Sequence, residues 1–499
     1  MTSPQLHTSE QAACWLQERV TGTLSADSRK LAQGDGFIAW PGAATDGRKY
    51  VNAALAAGAG ACLVEHTGAQ AYGFSDDRVA TYEGLKAATG PIAAAYFGVP
   101  SEHLQVAAIT GTNGKTSTAW WLAQALDRLG HKCGVVGTLG VGKPGAMVFN
   151  GLTTPDPVLL QQQLRRFVAE GFVACALEAS SIGLEERRLD GTRIRLAVFT
   201  NFTQDHLDYH ASMKDYWQAK KMLFNWPGLQ AAIINIDDAK GLELNVALAG
   251  TPLDVWTFSC AGPARLQAQA ICHGAHDLSF EVVEGAERHR ISTPMVGLYN
   301  VSNLLGVLAS LRAMNVSLAD AVNACVDLLP VPGRTETLAV PGRPLVVIDY
   351  AHTPDALEKV LVAIKPVALS RGGRLWCVFG CGGDRDASKR PLMAAVAEKN
   401  ADQVVVTSDN PRTEEPHVII DQMLHGLIRP DAVLVQADRA AAIADVLRLA
   451  QPCDVVLLAG KGHENYQEIQ GVKFTFSDRD QAQAALGALV ATHKLEVAA

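Results

Sequence analysis

The residues best suited to chemistry lie in one short stretch, 111–116, which reads GTNGKT. The apolar run 106–109 precedes it and predicts a buried strand of a parallel sheet. Apolar residues at helical spacing follow it over 119–129. A strand, a glycine-containing loop and a helix in this order can bind phosphate, because the loop N–H groups and the positive end of the helix attract an anion. The stretch therefore predicts a nucleotide site.

The residues of this loop have distinct roles toward a triphosphate. Lys115 would reach the terminal phosphates, and the Thr116 hydroxyl would bind a Mg²⁺ ion. The strict phosphate-loop pattern has a glycine where this chain has Ile109, so the motif is a variant. The alternative interpretation is a tight strand–helix turn whose lysine faces solvent.

Length and composition restrict the classes of protein to which the chain can belong. Its 499 residues predict about three domains of roughly 150 residues each. A net charge of −8 without a basic run argues against a nucleic-acid partner. We expect no signal peptide and no membrane span, since no apolar stretch approaches roughly 20 residues. The ten scattered cysteines are typical of a reduced, cytoplasmic enzyme.

Strand-like runs alternate with helical patterns along most of the chain. The first 100 residues contain two such runs, and the central region contains five. The runs are 36–40, 61–65, 106–109, 133–136, 173–177, 196–200 and 231–236. This alternation predicts the α/β class, with a doubly wound and mostly parallel central sheet. The piece 251–296 has a β-rich composition without a clear pattern.

A second α/β sheet is predicted in the last third of the chain. Its strand-like runs are 345–348, 375–379, 403–407 and 454–459, and polar residues follow each of them. Ligands of open parallel sheets collect at the carboxyl ends of the strands. We therefore expect these four polar strand ends to meet at one rim.

Two polar residues of the central region could bind metal. Glu178 follows one predicted strand, and His206 lies in the polar stretch 205–210 after another. Because Mg²⁺ prefers hard oxygen ligands and often bridges phosphates, Glu178 and Thr116 could share one ion, and His206 could serve a second. The alternatives are a helix-capping carboxylate and a hydrogen-bonded loop histidine.

The rim of the second sheet carries charges of both signs. Arg385 and Arg412 suit a carboxylate, since a guanidinium binds it through two parallel hydrogen bonds. Asp409 and Glu464 suit an ammonium group. This combination predicts an amino-acid substrate. The alternative is a set of surface ion pairs and helix caps.

These motifs together resemble the Mur ligases, and the resemblance covers nearly the whole chain. The matching segments, in chain order, are GTNGKTS (111–117), EASS (178–181), NFTQDHLD (201–208), NVSN (300–303), GR (333–334), DYAHTP (349–354) and DNPR (409–412). The resemblance implies an N-terminal UDP-binding domain over 1–100, a central ATPase-like domain over 101–332 and a C-terminal Rossmann-like, amino-acid-binding domain over 333–499.

The resemblance also implies a reaction of peptidoglycan precursor synthesis. ATP would phosphorylate the D-glutamate γ-carboxylate of UDP-N-acetylmuramoyl-L-alanyl-D-glutamate. The amine of meso-2,6-diaminopimelate would then attack the acyl phosphate, releasing phosphate. The implied substrates are these two molecules and ATP, the implied cofactor is Mg²⁺, and a monomer is expected.

Site residues follow from the resemblance position by position. The catalytic set would be Lys115, Glu178, His206 and Lys220, and the metal set Thr116, Glu178, His206 and Lys220. ATP would contact Gly111, Thr112, Asn113, Gly114, Lys115, Thr116, Ser117, Asn303, Arg334 and Asp349. The UDP-muramoyl-dipeptide would contact Ala26, Ser28, Ala43, Ala44, Thr45, Thr153, Thr154, Ser180, Glu186 and Arg188. Diaminopimelate would contact Arg385, Asp409, Asn410, Pro411, Arg412, Gly460 and Glu464.

Two of these assignments have a physical rationale of their own. Arg412, in the Asp-Asn-Pro-Arg quartet, could bind the second carboxylate of diaminopimelate, which lysine lacks. Lys220 matches a lysine that is carbamylated (N6-carboxylysine) in the family, because an ammonium would repel Mg²⁺ whereas a carbamate offers it oxygens. The alternative for Lys220 is a surface lysine.

The chain departs from the family pattern at three positions near the dipeptide. Leu152, Ile182 and Glu186 stand where asparagine, histidine and glutamine are common. Two other functions remain open: a sister ligase, such as a folylpolyglutamate synthase or a MurF-like enzyme, and a nucleotide-binding regulatory or scaffold protein without ligase turnover.

Overall fold

The structure is a computed structural model that describes residues 3–42, 45–207, 209–273, 278–293 and 295–497. Its contacts divide the chain into two compact units. The first contains Met1–Phe202, Tyr209–Thr257 and Ala309–Val316, and the second contains Thr203–Asp208, Phe258–Leu308 and Ser317–Ala499. Among the described residues, no helix has the length and apolar character that a membrane crossing requires.

The first sheet is parallel throughout, with helices on both faces. It consists of β1 (Gln5–Leu6), β2 (Leu24–Ser25), β3 (Gly36–Ala39), β4 (Ala61–Glu65) and β5 (Val79–Tyr82), with α1 (Ser9–Gln17), α2 (Val51–Ala56) and α3 (Leu85–Tyr96). The strand order is β1-β5-β4-β3-β2. Leu63 packs in a core with α1 and α3. Its neighbour Cys62 packs with α2 on the opposite face, so β4 is buried on both sides.

The central region forms a second parallel sheet around the glycine loop. Its elements are β6 (Gln105–Thr110), α4 (Lys115–Arg128), β7 (Cys133–Gly137), β8 (Gly140–Lys143), β9 (Ala146–Val148), α5 (Pro157–Ala169), β10 (Ala174–Glu178), α6 (Ser181–Glu185), β11 (Leu196–Phe199), α7 (Met213–Lys221), β12 (Ala231–Asn235) and α8 (Ala239–Leu248). Parallel pairing gives the order β12-β11-β6-β10-β7. Strand β6 lies between β10 and β11, so its loop opens where the strand order reverses, as ligand sites of such sheets do.

A β-rich segment and two helices follow. They are β13 (Asp254–Ser259), β14 (Leu266–His273), β15 (Leu278–Glu284), β16 (Glu287–Thr293), α9 (Leu298–Ala313) and α10 (Leu318–Cys325). Strands β14, β15 and β16 pair antiparallel in sequence order. The β-rich composition of 251–296 is thus confirmed as strand structure.

The last sheet has helices on both faces as well. Its elements are β17 (Glu336–Leu338), β18 (Leu345–Asp349), α11 (Pro354–Ser370), β19 (Leu375–Phe379), α12 (Lys389–Asn400), β20 (Gln403–Val406), α13 (Pro416–Leu424), β21 (Leu434–Val435), α14 (Arg439–Leu449), β22 (Val455–Ala459) and α15 (Asp478–Val497). Between β22 and α15 in sequence, β23 (Tyr466–Ile469) and β24 (Val472–Thr475) form a separate antiparallel pair. The order is β17-β18-β22-β19-β20-β21, and β18, β22, β19, β20 and β21 run parallel.

The predicted α/β class with doubly wound parallel sheets is confirmed. Side chains of β18 alternate between two cores, since Val347 packs with α11 and Val346 packs with α14 and α15. The short hairpin β8–β9, which extends the central sheet antiparallel, has no counterpart among the predicted strands. The domain boundaries at residues 100 and 332 stay a prediction.

Candidate active site

The glycine loop has the predicted strand–loop–helix build. Gly111 and Gly114 both have positive φ, at 145° and 87°, and α4 begins at Lys115 directly after them. A Cβ atom on Gly111 would lie 1.9 Å from the Thr200 hydroxyl, so only glycine permits this approach of the Thr200 side chain to the loop. The loop thereby opens toward the N-terminus of α4, where an anion is favoured.

Residues at the end of the neighbouring strand β11 fix the loop. The Asn113 N–H donates to Asn201 Oδ1 at 2.9 Å, and Asn201 Nδ2 donates to the Asn113 carbonyl at 3.0 Å. The Thr200 hydroxyl donates to the same carbonyl at 2.6 Å. These three bonds satisfy both backbone groups of Asn113 and fix the conformation of the loop.

Two predicted lysines meet on the carbonyl of Gly111. Lys115 Nζ donates to it at 2.9 Å and to the Thr112 carbonyl at 2.8 Å, so this side chain folds back over its own loop rather than facing solvent. Lys220 Nζ donates to the Gly111 carbonyl at 2.8 Å and lies 4.3 Å from the centre of the Tyr216 ring. Lys220 is 1% exposed, so the surface-lysine interpretation is wrong.

Glu178 is fully buried at the end of β10 and points at the same loop. Its Oε2 accepts hydrogen bonds from the Thr116 hydroxyl at 3.0 Å and the Thr138 hydroxyl at 3.1 Å. Its Oε1 accepts from the Thr138 N–H at 2.9 Å. A Cβ on Gly137 would lie 2.1 Å from Oε1, so glycine there makes room for the carboxylate. The cap of α6 is Ser180, so the helix-cap interpretation of Glu178 is wrong.

The donor set around Glu178 and Thr116 fits Mg²⁺. A carboxylate and a hydroxyl lie side by side at the mouth of the loop, and Mg²⁺ typically binds through one or two such groups together with phosphates and water. Among the described residues, no group of three or more His, Cys, Asp and Glu side chains is arranged to hold a metal ion.

The second predicted metal ligand, His206, lies in the second unit. Its backbone has a φ of 52°, which is uncommon for a residue other than glycine. Its Nε2 lies 3.5 Å from Asp205 Oδ2, and its N–H donates to Asp205 Oδ1 at 2.9 Å. This aspartate therefore orients the histidine, while its role toward metal stays a prediction.

The residues assigned to the dipeptide are linked to Glu178 through Thr154. The Thr154 hydroxyl donates to the Glu178 carbonyl at 2.7 Å and accepts from the Ser180 N–H at 3.1 Å. Arg188 donates to the Thr154 carbonyl at 3.0 Å. Thr153 contacts Thr138, with 3.0 Å between the hydroxyls. The structure therefore brings Thr153, Thr154, Ser180 and Arg188 together beside the glycine loop.

Glu186, by contrast, is already engaged within the protein. Its carboxylate accepts from the Tyr209 hydroxyl at 2.6 Å and pairs with Lys86 at 2.7 Å. The hydrogen bond from Lys86 lowers the pKa of Glu186, although partial burial opposes this. The carboxylate found where the family often has an amide thus serves two internal contacts.

A cavity of about 540 Å³ in the first unit contains the residues assigned to UDP. Ala26, Ser28 and Thr45 line it together with two aromatic residues, Trp40 and Tyr50. Ala43 and Ala44 lie outside the described residues. Its size and aromatic walls suit a nucleoside.

The polar strand ends of the last sheet share one edge, as predicted. Because β18, β19, β20 and β22 are parallel neighbours, the residues that follow them collect at their carboxyl ends. These are Asp349, the loop 380–385, the quartet 409–412 and the loop 460–464. The single rim expected from the sequence is therefore confirmed for the strand ends.

Two of the three further residues assigned to ATP lie close together at this rim. Asp349 Oδ2 accepts from the Thr335 N–H at 2.7 Å, next to Arg334, whose guanidinium lies 4.8 Å from the centre of the Tyr350 ring. Burial raises the pKa of Asp349 to about 6, although Arg334 and the backbone hydrogen bonds oppose it. Asn303 lies on α9, where its Nδ2 donates to Asn300 at 3.3 Å.

His463 gives this rim a testable response to acid. Burial, with a contribution from Arg334, lowers the pKa of His463 from 6.5 to about 4. The folded chain thus keeps this imidazole neutral while the unfolded chain protonates it below about 6.5. Stability is present above pH 6.5 and is lost as the pH falls toward 4, by about 2–3 kcal/mol.

We expect His463→Gln to remove this part of the acid sensitivity. Urea unfolding at pH 7.5 and 4.5 should show a smaller loss of unfolding free energy in the variant, by about 2 kcal/mol. The exposed His417 on α13 provides the control, since His417→Gln should behave as the unchanged protein does. Equal losses in all three proteins would contradict the assignment.

Arg412 projects from a strained turn. Its φ is 51°. Its N–H donates to the Glu468 carbonyl at 3.0 Å, and its carbonyl accepts from the Gln470 N–H at 2.6 Å. One guanidinium nitrogen donates to the Gly383 carbonyl at 2.7 Å, and its Nε lies 3.6 Å from Glu468 Oε2. The arginine is thus held at the glycine loop of the rim, while Arg385 in that loop is exposed.

The remaining residues assigned to diaminopimelate form a connected group. Asn410 Nδ2 donates to Glu464 Oε2 at 2.8 Å. Gly460 has a φ of 114°, and a Cβ there would lie 2.8 Å from Asp409 Oδ2. The Pro411 carbonyl lies where a Cβ on Gly383 would be, at 1.9 Å, so the quartet and the glycine loop pack without space for a side chain.

A fully buried ion pair supports the rim from below. Arg439, the first residue of α14, donates to both carboxylate oxygens of Asp478 at 2.7 and 2.6 Å. It also donates to the carbonyls of Ala459 and Ser408 at 2.9 and 3.3 Å. The pair thereby ties the start of α15 to the ends of β22 and β20.

Three functional neighbours have no place in the predicted set. Thr138 donates twice to Glu178, and Lys461 bonds both Asn410 and Glu464. Arg390 is buried, donates to both oxygens of Glu414 at 2.8 Å and holds the Gly382 carbonyl at 3.1 Å. Lys461 and Thr138 follow strands, so the strand-end signal could have found them.

Comparison with known proteins places these motifs in a family. The Mur ligase middle domain matches residues 109–311, and the domain described as "Mur ligase, glutamate ligase domain" matches residues 333–462. The chain belongs to the Mur ligase family. The two matched ranges contain the glycine loop, Glu178, His206, Lys220 and the whole rim of the last sheet up to Gly462.

Several curated relatives in this family are similar over almost their full length. A protein of Acidovorax sp. (strain JS42) is 59% identical over 96% of this chain and 97% of its own length. One of Pseudomonas aeruginosa is 44% identical over 94% of this chain and 96% of its own. Both are named UDP-N-acetylmuramoyl-L-alanyl-D-glutamate–2,6-diaminopimelate ligase.

Solved structures of the family give the same fold. One titled as the structure of a UDP-N-acetylmuramoyl-L-alanyl-D-glutamate–2,6-diaminopimelate ligase is 35% identical, with a TM-score of 0.67 over 94% of this chain and 95% of that one. A MurF structure from Acinetobacter baumannii has a TM-score of 0.63 at 18% identity, over 92% and 95% of the two chains. The second likeness, at this identity, concerns the fold alone.

Proposed function

We propose that the protein is an ATP-dependent ligase that adds meso-2,6-diaminopimelate to UDP-N-acetylmuramoyl-L-alanyl-D-glutamate in peptidoglycan precursor synthesis. The observation that carries this proposal is the 59% identity to a relative of that name across nearly the entire length of both chains. The chemistry of the site agrees, since a phosphate loop with a buried carboxylate occurs in one unit and a rim with paired charges in the other.

A carboxylate is a poor electrophile until it carries a good leaving group. In the proposed reaction, a γ-carboxylate oxygen of D-glutamate attacks the terminal phosphorus of ATP, and ADP leaves. The diaminopimelate amine then attacks the acyl carbon of the resulting acyl phosphate, loses a proton and expels phosphate. Lys115, beside the glycine loop, would stabilise the charge on the transferred phosphoryl group.

The residues present would hold one magnesium ion through Thr116 and Glu178. In the proposal, His206 serves a second ion, and Lys220, once carbamylated, offers oxygens to metal. Bound there, Mg²⁺ would neutralise the phosphate oxygens. Thr138 keeps the Glu178 carboxylate oriented, because it donates to both of its oxygens. Carbamylation of Lys220 is part of the proposal. It adds the mass of CO₂, about 44 Da, to the protein. Mass spectrometry of the intact protein should detect this shift and its dependence on bicarbonate.

The binding roles of the other residues complete the proposal. Arg412 and Arg385 would bind the carboxylate of diaminopimelate that lysine lacks, and Asp409 with Glu464 would bind an ammonium group. The cavity at Ser28 would hold the UDP end. We also propose a cytoplasmic monomer, in keeping with ATP use and with ten cysteines that are all free thiols; sedimentation would test the monomer.

A panel of amino acids tests the proposed function. With ATP, Mg²⁺ and the UDP-muramoyl-dipeptide, phosphate release should be at least about 100-fold faster with meso-diaminopimelate than with L-lysine at equal concentration, since lysine has no second carboxylate for the arginines to bind. Omission of the muramoyl substrate is the control. Equal rates with the two amino acids would contradict the specificity, and ATP binding without turnover would indicate a regulatory protein.

A further inference from the structure

Lys461 is a fully buried lysine in the middle of the proposed amino-acid site. Its Nζ donates to Asn410 Oδ1 at 3.0 Å and to Glu464 Oε2 at 3.1 Å, and it lies 3.6 Å from Asp409 Oδ1. A buried ammonium group is stable only when it is paired and hydrogen-bonded. These contacts, all to residues assigned to diaminopimelate, therefore account for its burial.

The carboxylate of Asp409 is almost as buried and less well satisfied. Its side chain is 9% exposed, and among the described residues no donor makes a hydrogen bond to its buried Oδ1. Leaving a buried carboxylate oxygen without a donor costs free energy. A ligand that brings N–H donors would remove that cost, so Asp409 points to a cationic group.

Among the residues that the structure describes, only one oxygen of Glu464 accepts side-chain hydrogen bonds. Its Oε2 accepts from both Lys461 and Asn410, at 3.1 and 2.8 Å. The side-chain amide of Asn410 cannot flip, because its Oδ1 accepts from Lys461 and from the Glu468 N–H at 2.9 Å. Glu464 Oε1 is then the oxygen that remains for a ligand.

The charged side chains of this pocket have a net charge of −1. Asp409 and Glu464 carry two negative charges, and Lys461 carries one positive charge. The nearby Arg439 is matched by Asp478, to which it donates twice. We propose that Lys461 is a positioning residue that presets this pocket for one ammonium group, by orienting Asn410 and Glu464 and by leaving a single negative charge. The proposal rests on the proposed function, in which diaminopimelate supplies that ammonium group.

Replacing Lys461 with methionine tests the positioning role. In Lys461→Met, we expect the KM for diaminopimelate to rise at least about 30-fold, while the KM for ATP stays within about twofold. Lys473→Met, at an exposed lysine on β24, is the matched control and should change neither value. A folded Lys461→Met with an unchanged KM for diaminopimelate would overturn the inference.

A pH profile separates positioning from a purely structural role. Burial and Asp409 raise the pKa of Glu464, and Lys461 and Asn410 oppose this. Tyr350, Tyr466 and Arg439 also face this carboxylate. Without Lys461, the pKa of Glu464 should rise further, so its carboxylate should protonate more readily and lose its attraction for an ammonium group.

The ratio of the variant's KM for diaminopimelate to that of the unchanged protein should therefore fall as the pH rises from about 6.5 to 8.5. A ratio that is constant over this range would show that Lys461 does not act through Glu464, and would overturn the inference.

A double variant keeps the test decisive if Lys461→Met does not fold. Lys461→Met/Glu464→Gln removes one charge of each sign, so the pocket keeps its net charge. If Lys461 acts through Glu464, adding Lys461→Met to Glu464→Gln should raise the KM for diaminopimelate by less than about threefold. A rise of about threefold or more over the KM of Glu464→Gln alone would overturn the inference. Absence of diaminopimelate turnover in the unchanged protein would instead overturn the proposed function, and with it this role.

Discussion

Lys115→Ala is expected to lower kcat for ADP formation by about 10³-fold or more. The ammonium group donates to two carbonyls of its own loop, so it lies at the loop that is proposed to bind the terminal phosphates. Positive groups aimed at a phosphoryl group in transfer contribute factors of about 10³ because they act on charge that develops in the transition state. A coupled assay of ADP release with all three substrates measures the change.

The exposed Lys214 on α7 provides a matched control for that experiment. Lys214→Ala removes the same charge from the same unit and should leave kcat within about twofold. Circular dichroism should show both variants folded, since Lys115 is only half-buried. A rate for Lys115→Ala within about threefold of the unchanged enzyme would mean that the glycine loop does not bind the transferred phosphate.

Arg412→Lys is expected to raise the KM for diaminopimelate by about 50-fold while the KM for ATP stays within about twofold. The guanidinium already uses one nitrogen on the Gly383 carbonyl, and its remaining N–H groups form the planar fork that a carboxylate matches. An ammonium group retains the charge but not the paired hydrogen bonds, a loss of about 2–3 kcal/mol.

Arg429→Lys is the control for this substitution, because Arg429 is an exposed residue of the same unit. The residual activity with lysine gives a second comparison. Lysine lacks the second carboxylate, so Arg412→Lys should leave its turnover nearly unchanged. If the KM values for ATP and diaminopimelate rose together, the role assigned to Arg412 would be wrong.

The strands and their polar ends were open to prediction because they depend on local patterns. Runs such as 375–379 and 455–459 are continuously apolar, as strands covered on both faces must be. The polar residue that follows each run then marks the edge where ligands bind. Glu178 and Asp409 were found in this way, without knowledge of which strands are neighbours.

Contacts between side chains far apart in sequence were not open to prediction. Nothing local distinguishes Arg385, which is exposed, from Arg390, which is buried against Glu414 and holds the glycine loop. The orientation of each depends on α12 and on the turn before α13. Likewise, the short strands β8, β9 and β21 have two to four residues, too few to establish an alternation.

The buried pair of Arg439 and Asp478 has a consequence for the end of the chain. Truncation before residue 478 would leave the buried Arg439 guanidinium without its carboxylate partner, at a cost of about 3–5 kcal/mol. It would also weaken the hydrogen bonds from Arg439 to the two carbonyls at the strand ends. The final helix is therefore required for the structure of the rim. Loss of roughly the last twenty residues should strongly weaken binding of the amino-acid substrate, even though none of them is assigned to contact it.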